Sequence, residues 1–319
     1  MRIFVGKKLK FILISVGILL LAGAVGLFFN RGGAFVWYVE AGYEDAWARI
    51  LRQAEPPVKF KMVQVYSGEQ GLKNQGVIIS TGIHEDRSGE NSLRVYPGLS
   101  RELEWQGCHV LALDPWMIFF KHTQALLSHD RIFSSASNEG TLLISGSEPE
   151  AVQAWSSRLS QDGPGSFSLD RDSLDVWGSR LFSSGLFPPD SQNFSWQEAL
   201  VRLLGNETAW LYAPLSVIRN YHSPRRQILT AAGFPELNRN RYSLLAKILW
   251  ARPYFSERHI KKQEEIISWL KNPEIQTIIA DELGWIPADP YGNPYDPVSR
   301  TSQMHWLTSS FVYEISDFY

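Results

Sequence analysis

Residues 269–288 read WLKNPEIQTIIADELGWIPA, and the proline and glycine positions in this stretch predict the order of its structural elements. Pro273 suits the first turn of a helix, where its missing N–H group needs no partner. Gly284 stands where a residue in the left-handed conformation would end that helix. Pro287 then keeps the helix from resuming. The stretch therefore predicts the end of one helix, a second helix from Pro273, and an extended segment after Gly284.

The same stretch resembles the extracellular solute-binding proteins of ABC importers, in particular their carbohydrate-binding, maltose-binding-protein-like family. In that family a helix ending in Phe-Leu precedes a Ser-Pro-Glu-x-Gln phrase, a further helix and a Gly-x-x-Pro-Ala loop. The matching residues here are Trp269-Leu270, the Pro273-Glu274-Ile275-Gln276 phrase, and Gly284 with Pro287-Ala288. Because the order of the phrases agrees as well as their wording, the resemblance extends over the carboxyl third of the chain.

A second phrase that resembles the family lies in the middle of the chain. Solute-binding proteins often have a helix, a Gly-x-x-Ala-Met strand and then a Pro-Trp step at the ligand cleft. This chain keeps Gly205, Ala209 and Pro214, with one more residue between the glycine and the alanine. Trp210 takes the place of the usual methionine, and Leu215 stands where an aromatic residue is common. The globular part is also shorter than that of a typical family member.

The resemblance implies an α/β fold of two lobes, like that of periplasmic binding proteins; the apolar N-terminal run described below would place a membrane helix before it. Lobe 1 would consist of residues 34–113 and 250–287, and lobe 2 of residues 114–249 and 288–319. The chain would cross between the lobes near Pro115. These boundaries are what the family's plan implies when it is laid on this chain.

Hydrophobic periodicity at the start of the globular part predicts a strand, a helix and a second strand. Residues 34–39 form an apolar, β-branched and aromatic run, and residues 44–55 carry apolar side chains at helical spacing. Residues 58–65 return to an approximate alternation typical of a strand. Because a strand, a helix and a strand in this order usually form a βαβ unit, we expect a parallel sheet.

Residues 1–33 form a separate N-terminal segment. Its first ten residues include four basic ones, Arg2, Lys7, Lys8 and Lys10, and residues 11–29 carry no charged side chain. A run of about 20 apolar residues suffices to span a bilayer, and the basic head predicts that the globular part is exported across the cytoplasmic membrane. A cleaved signal peptide is the alternative, because Ala22-Gly23-Ala24 satisfies a signal-peptidase site. The same residues resemble a lipobox, but Ala24 replaces the cysteine that would carry the lipid.

Composition and motifs exclude several other functions. The formal net charge is −2, and the basic residues are scattered, which argues against nucleic acid as a partner. The chain has one cysteine, Cys108, which we expect to pack in the core, and its seven histidines form no close pair that could bind a metal. Neither a nucleophile elbow nor a phosphate-binding glycine loop is present. We therefore expect no enzymatic activity, no metal and no cofactor.

Five residues are candidates for binding a ligand at the cleft that the resemblance implies. Carboxylates accept hydrogen bonds from sugar hydroxyl groups, and aromatic rings cover the apolar face of a sugar. Two of the candidates follow the first strand, one lies at the lobe crossing, one lies on the central strand, and one lies in a Gln-Met-His-Trp phrase that resembles a cleft-lining segment. In chain order they are Glu40, Tyr43, Trp116, Tyr212 and Trp306. Packing in the core is the alternative for Trp116, Tyr212 and Trp306, and a helix-dipole or surface role is the alternative for Glu40.

These observations lead to one functional expectation and two alternatives. The leading hypothesis is an exported protein, tethered through residues 11–29, that captures a small solute such as a sugar or oligosaccharide for the permease subunits of an ABC importer. The first alternative is an interaction or sensor module that keeps the fold but has lost transport. Leu215, the short globular part and the missing lipobox cysteine motivate it. An exported hydrolase is the second alternative.

Overall fold

The structure is a computed structural model that describes residues 35–65, 75–82, 94–122, 141–159, 171–206, 209–221, 227–234, 243–294 and 296–315. The predicted membrane segment, residues 11–29, lies outside these ranges. Within them, no helix is both long enough and apolar enough to cross a bilayer.

Strands and helices alternate along the described residues, as in a mixed α/β protein. The strands are β1 (Phe35–Glu40), β2 (Phe60–Val65), β3 (Gly76–Thr81), β4 (Arg94–Pro97), β5 (Glu104–Trp105), β6 (Cys108–Lys121), β7 (Thr141–Leu143), β8 (Ala209–Pro214), β9 (Leu229–Ala232), β10 (Ser243–Tyr254), β11 (Ile286–Pro287) and β12 (Phe311–Glu314). The helices are α1 (Glu44–Ala54), α2 (Leu99–Glu102), α3 (Pro149–Leu159), α4 (Arg171–Ser183), α5 (Trp196–Gly205), α6 (Leu215–Arg219), α7 (Ile260–Leu270), α8 (Pro273–Leu283) and α9 (Pro297–Thr308).

The larger sheet contains the strands in the order β2, β1, β3, β10 and β6. Strand β1 runs parallel to both β2 and β3, which confirms the parallel βαβ unit expected from residues 34–65. Strand β10 is antiparallel to β3 and to β6, so a strand from late in the chain occupies the middle of the sheet. Strand β12 pairs with β10 and with β4, and extends the sheet near the start of β10.

The smaller sheet forms around the second half of β6. Strands β8 and β9 pair with β6 in antiparallel fashion, and β7 runs parallel to β8. The carboxyl ends of β7 and β8 therefore point toward the larger sheet. Helices α3 and α5 pack against β8.

Strand β6 continues without a break through Asp114 and Pro115, near which the chain was expected to cross between the lobes, and ends at Lys121. Up to Pro115, which pairs with Ala246, the partner is β10; from Trp116, which pairs with Pro214, the partner is β8. Proline lacks the N–H group of a ladder hydrogen bond. Here it lies at the residue where β6 changes partners, so its missing donor does not interrupt either ladder.

The change of partner along β6 lies close to the predicted boundary between the lobes. The boundary between residues 113 and 114 lies within two residues of the point at which β6 leaves the larger sheet. Strand β12, which falls in predicted lobe 2, pairs with β4 of predicted lobe 1. The larger sheet thus includes a strand from each predicted lobe, and the division into lobes stays a prediction.

In the stretch that begins at Trp269, a helix starts and ends at the predicted residues. The Asn272 side chain accepts a hydrogen bond from the Glu274 N–H group at 2.8 Å and caps α8, with Pro273 in the first turn. Gly284 ends α8 with φ +73°, the left-handed conformation expected there. Helix α7, which begins at Ile260, precedes this stretch, and helix α9 and strand β12 follow it.

Candidate functional site

Glu40 lies at the carboxyl end of β1, next to the carboxyl end of β3. Its side chain is 3% exposed. Its Oε2 atom accepts hydrogen bonds from the Thr81 N–H group at 2.5 Å and from the Thr81 Oγ1 hydroxyl at 2.8 Å. The carboxylate therefore connects the ends of two parallel strands, at the edge where ligands of open α/β sheets bind.

Tyr43 is brought close to Glu40 by the turn between β1 and α1. Its N–H group donates to the Glu40 carbonyl oxygen at 3.1 Å. Its half-buried ring packs edge-on against Trp285, with 6.1 Å between ring centroids. The ring thus joins the turn after β1 to the residue that follows Gly284.

Trp116 and Tyr212 lie on adjacent strands of the smaller sheet, and the structure brings them together. Their ring centroids are 5.4 Å apart, and both side chains are at most 1% exposed. Trp155 and Phe234 pack on Tyr212 at 5.3 and 5.1 Å, so these four rings form one aromatic cluster. Trp306 belongs to a different part of the core, where it is fully buried and its Nε1–H group donates to the Ala288 carbonyl oxygen at 3.0 Å.

The structure therefore places the five candidates in three groups. Glu40 and Tyr43 lie at the end of the larger sheet, Trp116 and Tyr212 inside the smaller sheet, and Trp306 on the buried face of helix α9. The rings of Trp116, Tyr212 and Trp306 are covered by other side chains in the described conformation. Ligand binding by these five residues stays a prediction.

Charged residues on the two long strands lie close to the point where β6 changes partners, and they were not singled out in the sequence. Lys247 of β10 bonds Glu150 of α3, with 2.7 Å between Nζ and Oε2, and both side chains are mostly buried. Asp114 of β6 accepts hydrogen bonds from Ser216 through its N–H group at 2.9 Å and its hydroxyl at 2.5 Å. Burial raises the pKa of Asp114 to about 7, although the Ser216 bonds and Lys247 favour the ionised form. A charge inside an otherwise apolar strand was the signal that could have identified Asp114 and Lys247.

A second buried carboxylate lies on β12. Glu314 accepts hydrogen bonds from the Tyr96 hydroxyl at 2.6 Å and from the Trp250 Nε1–H group at 2.7 Å. The pKa of Glu314 is raised to about 7; burial is the main cause, and the charge of Glu40 acts in the same direction. The pKa of Tyr96 is also raised, first by burial and then by the Glu314 charge. Two carboxylates, Glu40 and Glu314, thus interact across the end of the larger sheet.

Arg158 connects the aromatic cluster to the long strand β10. Its Nε–H group donates to the Tyr212 hydroxyl oxygen at 3.1 Å, and its Nη1–H group donates to the Ser243 hydroxyl oxygen at 2.9 Å. The guanidinium also lies over the Phe234 ring, 5.3 Å from its centroid. A cation in contact with ring faces and hydroxyl groups can donate hydrogen bonds to a polar ligand that reaches this position.

An open groove of about 650 Å³ lies elsewhere, at the junction of α7 and α8, and contains none of the five candidates. His109, Ile267 and Lys271 line it. Burial lowers the pKa of His109, and Glu104 lies 3.3 Å from its Nδ1 atom. Among the described residues, no cluster of three or more histidine, cysteine or acidic side chains could hold a metal ion.

The chain matches no protein-family model and no curated protein, but it matches many solved structures. The bacterial solute receptor AcbH, with its exclusive preference for β-D-galactopyranose, superposes with a TM-score of 0.64 at 11% identity, over 89% of this chain and 88% of its own. A probable secreted solute-binding lipoprotein from Streptomyces coelicolor has a TM-score of 0.54 at 13% identity, over 89% and 87%. A Bordetella ferric binding protein has a TM-score of 0.53 at 12% identity, over 84% and 90%. The chain therefore has the mixed α/β fold of bacterial solute-binding proteins.

Proposed function

We propose that this chain is an exported solute-binding protein, tethered through residues 11–29, that captures a small polar solute for an ABC importer. A sugar or oligosaccharide is the expected class of solute. The observation that carries the proposal is the long strand β6, which pairs with β10 of the larger sheet up to Pro115 and with β8 of the smaller sheet from Trp116. A strand shared by two sheets in this way would provide a hinge about which two bodies could close on a ligand.

The groups that would receive the solute lie where the two sheets meet. The Lys247–Glu150 pair and the Asp114–Ser216 pair offer two carboxylates, an ammonium and a hydroxyl. Such groups donate to and accept from the hydroxyl groups of a sugar. In the described conformation they bond to each other, so a solute would replace internal bonds rather than fill empty ones. Stacking of a sugar on Trp116 or Tyr212 would require a movement that uncovers those rings.

An interaction or sensor module that has lost transport is the second candidate. The specific observation in its favour is that the predicted ligand groups already have partners inside the protein: Glu40 bonds Thr81, and the Trp116 and Tyr212 rings pack in the aromatic cluster. A protein that uses these side chains for packing would keep the fold without a solute.

A thermal-shift screen of the full chain in detergent tests the proposal. A ligand at one hundred times its Kd stabilises the folded state by about 2.7 kcal/mol, so a bound sugar would raise Tm by several degrees. The panel would contain monosaccharides, oligosaccharides and ferric ion. Calorimetry would give the affinity of each hit, and scattering would report closure of the body.

Two variants make the screen specific. Glu150→Gln should weaken the binding of a sugar that raises Tm, because it removes a carboxylate where the sheets meet. Glu282→Gln is the matched control, because Glu282 also accepts a 2.7 Å ion pair, from Arg49, and is similarly buried, but lies on α8. A panel without any shift would exclude solute capture and favour the interaction module. Equal weakening by both variants would place the solute elsewhere.

A further inference from the structure

The end of the larger sheet that lies opposite Glu40 has a distinct surface, which we call the basal face. It consists of Phe35 at the start of β1, residues 59–61 at the start of β2, and residues 254–262 at the end of β10 and the start of α7. The register joins these pieces, because Phe35 pairs with Phe60 and Tyr254 pairs with Gly76 at the start of β3. The basal face is therefore where the chain enters the sheet from residues 1–34.

Aromatic and apolar side chains form the centre of the basal face. The Phe35 ring packs against Phe60 at 6.0 Å and against Phe255 and His259, each at 5.6 Å. Around this cluster, Tyr254 and Ile260 are each 50% exposed, which is unusual for large hydrophobic residues among those described. A soluble surface gains nothing from exposing both side chains beside one cluster.

Basic side chains surround the apolar centre. Lys59, Lys61, Arg258 and Lys262 are exposed, and the Lys262 ammonium lies 4.8 Å from the centroid of the Phe35 ring. Residues 254–262 contain three basic residues and a single acidic one, Glu257. The basal face is therefore positively charged, whereas the chain as a whole carries a formal charge of −2.

We propose that the basal face rests on the surface of an anionic membrane; this inference depends on the tether in the proposed function. Five residues, 30–34, lie between Phe29, the last residue of the apolar run, and Phe35. Even fully extended, the six steps from Phe29 to Phe35 span only about 20 Å, so the basal face is the part of the body held nearest to the bilayer. Tyrosine and lysine side chains are favoured at the headgroup level, and basic groups bind anionic lipids. Glu40 and Thr81 then face away from the bilayer.

This orientation has a consequence for the partner. The ends of β1 and β3 would be presented to molecules in the exported compartment rather than to the membrane. Delivery of a solute to a permease would require the body to turn over on its short tether. The anchored protein would therefore rest with the end of the sheet that carries Glu40 and Thr81 facing the aqueous side.

The test uses the full chain in vesicles of phosphatidylethanolamine and phosphatidylglycerol that contain brominated lipids. A fluorophore is placed at Glu257→Cys on the basal face or at Asp45→Cys, an exposed position beyond the carboxyl end of β1. The native Cys108 is 2% exposed and should not compete for the label. We expect quenching at least severalfold stronger at position 257 than at position 45. Equal quenching at both positions, or stronger quenching at position 45, would overturn the inference.

Variants that remove basic side chains from the basal face test whether it contacts anionic lipid. Each basic residue near an anionic surface contributes about fivefold to binding, so Lys59→Gln, Lys61→Gln and Arg258→Gln together should weaken contact about a hundredfold and abolish the quenching difference. Arg101→Gln, at an exposed residue of α2, should have no effect. If the triple variant and vesicles of phosphatidylcholine alone leave the quenching unchanged, contact is independent of charge and the inference fails. If the chain is lost from the vesicles in an alkaline carbonate wash, the proposed tether itself is wrong.

Discussion

Replacing Glu314 by glutamine is expected to stabilise the protein at alkaline pH relative to the wild type. The Glu314 carboxylate is buried, and burial raises its pKa from the ordinary value of 4.5 to about 7. Glutamine keeps the size of the side chain. Its carbonyl oxygen can accept from the Trp250 Nε1–H group, and its amide can donate to the Tyr96 hydroxyl oxygen, which turns to accept.

The magnitude follows from the difference between the folded and unfolded pKa. Each pH unit between the two values corresponds to about 1.4 kcal/mol, so ionising Glu314 in the folded state costs about 3 kcal/mol. Because its folded pKa is raised, the stabilisation that Glu314 contributes is complete below pH 4.5 and is lost as the pH rises to about 7. As the pH rises from 5 to 8, the free energy of unfolding of Glu314→Gln should therefore increase relative to that of the wild type by about 2 to 3 kcal/mol.

Urea denaturation followed by tryptophan fluorescence at pH 5, 6, 7 and 8 measures this difference. Asp114 titrates in the same range, but its contribution cancels when the variant is compared with the wild type. Glu198→Gln is the control for sign, because hydrogen bonds from Ser195 lower the pKa of Glu198 and its stabilisation is lost as the pH falls. Stability curves of Glu314→Gln and the wild type that stay parallel from pH 5 to pH 8 would refute the reasoning that burial dominates at Glu314.

Three further substitutions test the packing around the site, each by urea denaturation. Gly284→Ala should cost about 1–2 kcal/mol, because φ is +73° and a Cβ atom would lie 3.0 Å from the Asn220 side-chain oxygen; an unchanged midpoint would show that the backbone relaxes. Ser195→Ala should cost about 1 kcal/mol, because it breaks the reciprocal cap with Glu198 at the start of α5, and the loss should persist at high salt. Trp306→Phe should cost about 2 kcal/mol by leaving the Ala288 carbonyl oxygen without its donor. Loss of solute affinity without loss of stability in Trp306→Phe would instead assign the ring to the ligand.

Elements with local signals could be predicted from the sequence. Helix α3 begins at Pro149, a residue type that suits a first helical turn, and ends at Leu159. The end of α8 at Gly284 follows from the same kind of signal. These signals identify where a helix begins and ends, and they suffice for the order of elements in the carboxyl third.

The site depends on contacts between residues that are distant in sequence, and local patterns do not show them. Tyr96 and Glu314 are 218 positions apart, yet they share a hydrogen bond. The step at Asp114-Pro115 has the residues of a turn, but pairing with β10 and β8 holds it in a strand. Likewise, Trp116 could be recognised as an aromatic residue near the crossing, but its burial depends on the Tyr212 ring.

The position of β10 in the larger sheet has a consequence for the order in which the chain folds. Strands β1, β2 and β3 are made early, but β10, which covers the open edge of β3, comes from residues 243–254 of 319. A growing chain therefore carries a sheet with an unpaired edge until about three quarters of it has been synthesised. Pairings between such distant segments form slowly, and an open edge can pair with other chains. Completion of the larger sheet, including the end that carries Glu40, is thus a late step in the folding of each molecule.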